Sequence, residues 1–254
     1  FADWSEADTA AQTILPCHPG FFCAPQVFYF TPQKKWYLIC QASDESWDPQ
    51  YQVAFTTTEN IADPQSWAPL RPLGATKPTN PKAGLDFWVI CDAEEAHLFF
   101  TSLDGRMWRC ETALDAFPSG WSDAKVALQG DVFEASHTYK IKGVEKYVTL
   151  IEAQGGHGWR YFKSYVADRL DGEWTPLAAE KDLAFANMKN VRHPADRWTD
   201  AISHGELLRA GYDQHLEVDP AALRFLFQGV TDAARKDLGY GGIPWRLGLL
   251  ESTQ

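Results

Sequence analysis

Two carboxylates stand among apolar neighbours: Asp86 in Gly84-Leu-Asp-Phe-Trp-Val-Ile90 and Glu134 in Asp131-Val-Phe-Glu-Ala135. A lone carboxylate in such a run is costly to bury unless it is paired or used. Burial also raises its pKa, which suits a general acid. Two such acids at like points of adjacent repeats are placed to flank a glycosidic bond. Taken singly, each also fits a capped or ion-paired structural role. A third constellation is Ile202-Ser-His-Gly-Glu-Leu207. His204 and Glu206 stand two apart, so on a strand they face one side. Gly205 between them permits close approach of another backbone. A His so placed reads as a metal or substrate contact, or as a hydrogen-bonded core residue.

These side chains need strands to position them, and strand-like runs fill the chain. Gln26–Phe30, Lys35–Cys40, Gln52–Thr56, Phe87–Cys91, His97–Thr101, Arg106–Cys110, His137–Ile141, Lys146–Ile151 and Arg160–Val166 are rich in aromatic and β-branched residues. Each is bounded by turn-forming residues, and no convincing helical periodicity interrupts them. The runs come in sets that close on a loop and a Trp followed by a small or hydroxyl residue: Trp4-Ser, Trp67-Ala, Trp121-Ser and Trp174-Thr. The intervals between positions 4, 67, 121 and 174 are 63, 54 and 53 residues. About four strands within such a period make a β-propeller blade. The expectation is an all-β propeller: four nearly whole blades, the last from Ile202 to Glu251 through Leu216–Val218, Leu223–Gln228 and Arg246–Leu250. Trp4 would close an earlier blade. A β-sandwich with coincidental Trp spacing is the alternative. A propeller is one domain, so residues 1–254 read as one unit, with Thr76–Lys82 as a loop between blades.

Composition narrows the partners. The chain has 254 residues, 11 Trp and a net charge of −11. That field repels phosphate backbones and anionic membranes, whereas a neutral sugar polymer is not opposed and could stack on aromatic rings. No stretch approaches 18 apolar residues, so no spanning helix is expected. The start at Phe1 reads as a processed or truncated product. Of the five cysteines, Cys17 and Cys23 could close a small disulfide loop in an oxidising compartment; Cys40, Cys91 and Cys110 read as small core residues.

Ala24–Phe30, Phe133-Glu-Ala135, Lys146–Ala153, Arg160–Ser164, Trp174-Thr-Pro176, Ile202–Leu207, Asp219-Pro220 with Leu223–Gly229, and Ile243–Leu250 form an ordered set across nearly the whole chain. This set resembles glycoside hydrolase family 62, the α-L-arabinofuranosidases that remove arabinose side chains from xylan; family 43 is a more distant relative of the same five-bladed fold. The resemblance implies a five-bladed β-propeller whose first blade is largely missing from this chain. It also implies a secreted enzyme of inverting mechanism, with arabinoxylan or an arabino-oligosaccharide as partner. Glu134 looks like the general acid and Asp86 like the acid that modulates it and contacts arabinose. His204 looks like the central His that helps hold calcium, mostly through waters. Tyr240, in Gly239-Tyr-Gly-Gly-Ile-Pro244, looks like an aromatic lining the sugar pocket; Glu152 and Arg160 match family positions in the blade of the general acid and are read as substrate-binding residues of that pocket. Three departures stand out: the Lys-Asp-Phe-Thr-like segment that carries the family's catalytic base has no counterpart, Asp200-Ala-Ile202 replaces Asn-Asp-Ile, and Phe87-Trp88 follow Asp86 in place of polar residues. A non-catalytic carbohydrate-binding propeller and a family 43-type glycosidase are the rival readings.

Overall fold

The computed structural model describes residues 4–74, 84–155 and 158–253. The expected loop Thr76–Lys82 lies outside them. Four sheets follow one another along the chain. The first is β1 (Phe22–Phe30), β2 (Lys35–Ser43), β3 (Tyr51–Thr58) and β4 (Arg71–Pro72). The second is β5 (Leu85–Cys91), β6 (Glu95–Thr101), β7 (Arg106–Ala113) and β8 (Lys125–Gln129). The third contains β9 (Glu134–Ile141), β10 (Tyr147–Gln154), β11 (Arg160–Ala167) and β12 (Thr175–Ala178). The fourth starts with β13 (Ser203–Leu207); β14 (Glu217–Val218) leaves it to pair in parallel with β9, and β15 (Arg224–Gly229) and β16 (Arg246–Glu251) complete it.

Inner and middle strands such as β5, β6, β10 and β11 are buried along almost their whole length, because a blade packs against a neighbour on each face. That is why they read as continuous apolar runs, while β8 and β12 at the rim are exposed. Trp67, Trp121 and Trp174, which close sets, are buried, as the repeat requires. Trp174, from the third blade, sits edge-on to Phe99 of the second at 5.9 Å. Phe117, just before Trp121, packs 4.6 Å from Phe30 of the first blade. These two closing loops thus seal the third blade onto the second and the second onto the first.

The structure corrects three details. Among the described residues there are four sheets rather than five, and Trp4, expected to close an earlier blade, opens a 3-10 helix, Trp4–Thr9. Leu216–Val218 contributes to the third sheet rather than the fourth. Cys17 and Cys23 are free thiols. No helix is long and apolar enough to cross a membrane among the described residues.

Residues 209–219, between β13 and β15, form a strap across the ends of the inner strands. Tyr29 N–H donates to Tyr212 O at 2.7 Å, Cys91 N–H to Gln214 O at 2.9 Å, and Lys142 N–H to Val218 O at 3.0 Å. Arg209 adds a bond from Nη1 to Val27 O at 2.8 Å. One segment of the fourth blade therefore grips the first, second and third.

Candidate active site

At the opposite ends of the inner strands every blade has the same irregularity. The pairing register slips after Cys23, Leu85 and Ser203, and across the third blade between Leu150 and Glu152. In each inner strand one non-glycine residue there has positive φ: Ala24, Asp86, Ala135 and His204. These are β-bulges, which turn consecutive side chains toward the hub. They also revise the equivalence expected from sequence. Asp86 and His204 occupy the left-handed position itself, whereas Glu134 precedes it, level with Cys23, Leu85 and Ser203.

The bulge amides are received by neighbouring blades. Asp86 N–H donates to Gln41 Oε1 (3.4 Å), Ala135 N–H to Asp86 Oδ2 (3.0 Å), and His204 N–H to Glu152 Oε2 (2.7 Å). Each bond runs to the blade before, so site geometry and blade docking are one network.

Within the third blade Glu134 and Glu152 are direct cross-strand partners. Like charges in that position repel. Arg160, beside them on β11, offsets this: its Nη1 lies 2.5 Å from Glu134 Oε1, 2.9 Å from Glu152 Oε1 and 3.2 Å from Ser203 Oγ. Ser203 Oγ–H also donates to Glu152 Oε1 at 2.9 Å. The Glu134 carboxyl is pushed up to about 7, first by burial, then by the charges of Glu152 and Asp86, against the pull of Arg160 and His204. Burial raises Glu152 as well. Yet Glu152 gives its two oxygens to a guanidinium, a hydroxyl and an amide, all donors that favour the ionised form. Glu134 is therefore the carboxyl that keeps a proton near neutrality. His204 Nε2 lies 4.0 Å from Asp86 Oδ1, closing the ring of groups.

Aromatics wall the site. The Arg160 guanidinium lies 4.9 Å from the Phe133 ring, 4.7 Å from Trp159 and 5.5 Å from Tyr240. Trp159 stacks on Trp245 at 5.9 Å, and Arg235 covers it at 4.1 Å. Tyr240 is 58% exposed, an open rim over the acids. The structure thus gathers Asp86, Glu134, Glu152, Arg160, His204 and Tyr240 in one place. Glu152, however, is fully buried and presents no free oxygen. Sequence reasoning missed Ser203, Gln41, Trp159 and Trp245. Ser203 and Trp245 lie within quoted segments, Ile202–Leu207 and Ile243–Leu250, where no role was read for them; Gln41 and Trp159 carry no motif.

Phe87 and Trp88 turn away from this chemistry. Phe87 packs on Phe100 at 5.3 Å. Trp88 stacks on His137 at 4.3 Å and donates from Nε1 to Thr138 O at 2.7 Å. His137 Nδ1 in turn meets Gly205 O at 2.8 Å, which fixes the backbone beside His204. His204 and Glu206 both border a 130 Å³ chamber in the hub, as their spacing suggested.

Calcium prefers six to eight oxygen ligands. Ligand atoms of Glu134, Glu152 and His204 converge within 4.8 Å, but the Arg160 guanidinium already supplies positive charge there. Glu206, on the other side of His204, is paired with Arg209 at 3.2 Å. These side chains offer fewer free oxygens than calcium prefers.

Residues 1–251 match the family model described as Glycosyl hydrolase family 62. Alpha-L-arabinofuranosidase C of Cellvibrio japonicus (strain Ueda107) is 38% identical over 257 aligned positions, 98% of this chain. The chain spans only 39% of that protein's length. The catalytic domain of a Coprinopsis cinerea GH62 α-L-arabinofuranosidase superposes with TM-score 0.91 at 36% identity, covering 99% of this chain and 80% of that one. The α-L-arabinofuranosidase PaAbf62A of Podospora anserina, in complex with cellotriose, gives 0.90 at 36% identity, covering 100% and 81%. By its sequence from end to end and by its propeller fold, the chain belongs to glycosyl hydrolase family 62.

Proposed function

We infer that this chain is the catalytic part of an α-L-arabinofuranosidase that removes arabinofuranosyl side chains from arabinoxylan with inversion. The observation that carries the reading is a carboxyl poised to donate, Glu134 at about 7, beside Asp86 and beneath the exposed Tyr240 ring. In this scheme Glu134 protonates the leaving sugar oxygen as the glycosidic bond breaks. Asp86 keeps Glu134 protonated through its charge, and Tyr240 stacks on the sugar. The names of the related arabinofuranosidases, and the xylotriose bound by another family 62 hydrolase that is 36% identical, support this substrate class.

Inversion needs a second carboxylate about 6.5–9.5 Å away to activate water. Asp86 Oδ2 already receives the Ala135 amide, and both oxygens of Glu152 are engaged. Asp200 is held by Arg197 Nη2 at 2.6 Å and by the Asp232 amide at 2.9 Å. Each of these three carboxylates is already engaged by a neighbouring donor. The commitment of these carboxylates also favours a second reading, a propeller that binds side-chain arabinose without hydrolysing it.

Arabinose release from arabinoxylan, followed by proton NMR, separates the two. The first-formed anomer should be the inverted one, and Glu134→Gln should abolish release while leaving oligosaccharide binding intact. Undiminished release by that variant, or first-formed product of retained configuration, overturns the scheme; binding with no release by the wild type supports the second reading.

A further inference from the structure

Resting on the glycosidase reading, we propose that Glu152 is a positioning residue that fixes Arg160, Glu134 and His204 from one buried carboxylate without touching the sugar. Its Oε1 receives Arg160 Nη1 and Ser203 Oγ–H, each at 2.9 Å, and its Oε2 receives the His204 amide at 2.7 Å. It is 0% exposed, so no face is left for a ligand.

The two oxygens do different work. Through Oε1, Glu152 anchors the guanidinium that reaches Glu134 Oε1 at 2.5 Å. Glu134 lies directly opposite on β9, and the shared guanidinium keeps the two like-charged groups from splaying apart. Through Oε2, Glu152 receives the amide of a residue at φ 39°, a backbone conformation costly for a non-glycine residue and sustained by its surroundings. The same device holds Ala135 from Asp86 and Asp86 from Gln41, but neither of those receivers also grips a guanidinium. Glu152 therefore sets the acid from one side of the pocket and His204 from the other.

Glu152→Gln tests this. An amide has one oxygen and one NH2, so it can accept from Arg160 and Ser203 or from His204, and its NH2 opposes the remaining donor. Hydrogen bonds to charged groups are worth about 1.5–3 kcal/mol, so kcat on an arabinofuranosylated xylo-oligosaccharide should fall roughly 10- to 100-fold. KM should stay within about threefold, since no sugar contact is removed. Oligosaccharide binding at wild-type stoichiometry, by calorimetry, excludes a loss of folded protein. An unchanged kcat, or a raised KM at unchanged kcat, overturns the proposal.

A second readout needs neither turnover nor a folded variant. In the wild type, the His204 amide proton should be shifted downfield by its bond to a carboxylate, and the Arg160 guanidinium protons should exchange slowly. Ordinary shifts and fast exchange there overturn the positioning role. If the wild type releases no arabinose, the glycosidase reading fails, and these signals still decide what Glu152 holds.

Discussion

Glu134 is raised by burial and by two anionic neighbours, and this gives its protonation a sign and a window. The acid works only while protonated, so kcat/KM should be sustained below about pH 7 and fall above it as Glu134 ionises. Removing one of those neighbours with Asp86→Asn should draw the basic limb of the pH profile to lower pH. An unmoved limb would show that Asp86 acts through contact alone. Arg160→Met strips the shared cation from two buried carboxyls. Breaking a buried pair by removing one partner costs roughly 3–5 kcal/mol, and chemical denaturation should show a loss of that size. Asp86, Glu134 and His204 were legible as residues because charge in apolar surroundings stands out in a sequence. Their cooperation was not: the facing of Glu134 and Glu152 depends on a register slip that no residue pattern announces.

The inner strands and the closing Trp loops followed from alternation, turn residues and a period near 54, because burial on both faces leaves a strong apolar signature. The bulges did not follow: Asp and His adopt left-handed backbone more readily than most residues, but Ala24 and Ala135 take it as well, so the residue types do not announce it. Gly205 was read correctly as a point of close approach: an added Cβ would lie 2.2 Å from Phe225 Cζ and 2.8 Å from Leu226 O. Gly205→Ala should therefore destabilise the protein by about 1–3 kcal/mol through overpacking. A thermal melt checks it, and an unchanged midpoint would mean that β13 and β15 separate more easily than their pairing suggests. The strap was hidden for a related reason. Residues 209–219 carry no strand signature beyond Leu216–Val218, and they contribute backbone bonds in passing rather than a strand of their own.

Across the molecule, four blades are joined in series by their loops and in parallel by the strap. Loosening the strap should therefore be felt in several blades together. Gln214 accepts the Thr31 amide at 3.1 Å through its side chain, besides the Cys91 amide through its backbone. In Arg209→Ala with Gln214→Ala, amide exchange should quicken at Tyr29, Thr31 and Cys91 in concert; quickening confined to one blade would mean that the blades are coupled by their faces alone. The strap has a further bearing on how a polymer meets this protein. On the proposed function, the acids lie at the ends of the inner strands opposite those that the strap crosses, so the sugar would be met on the strap-free side. A branch would then enter and its product leave from that one side, and each side group removed would be a separate visit rather than a step along a captive chain.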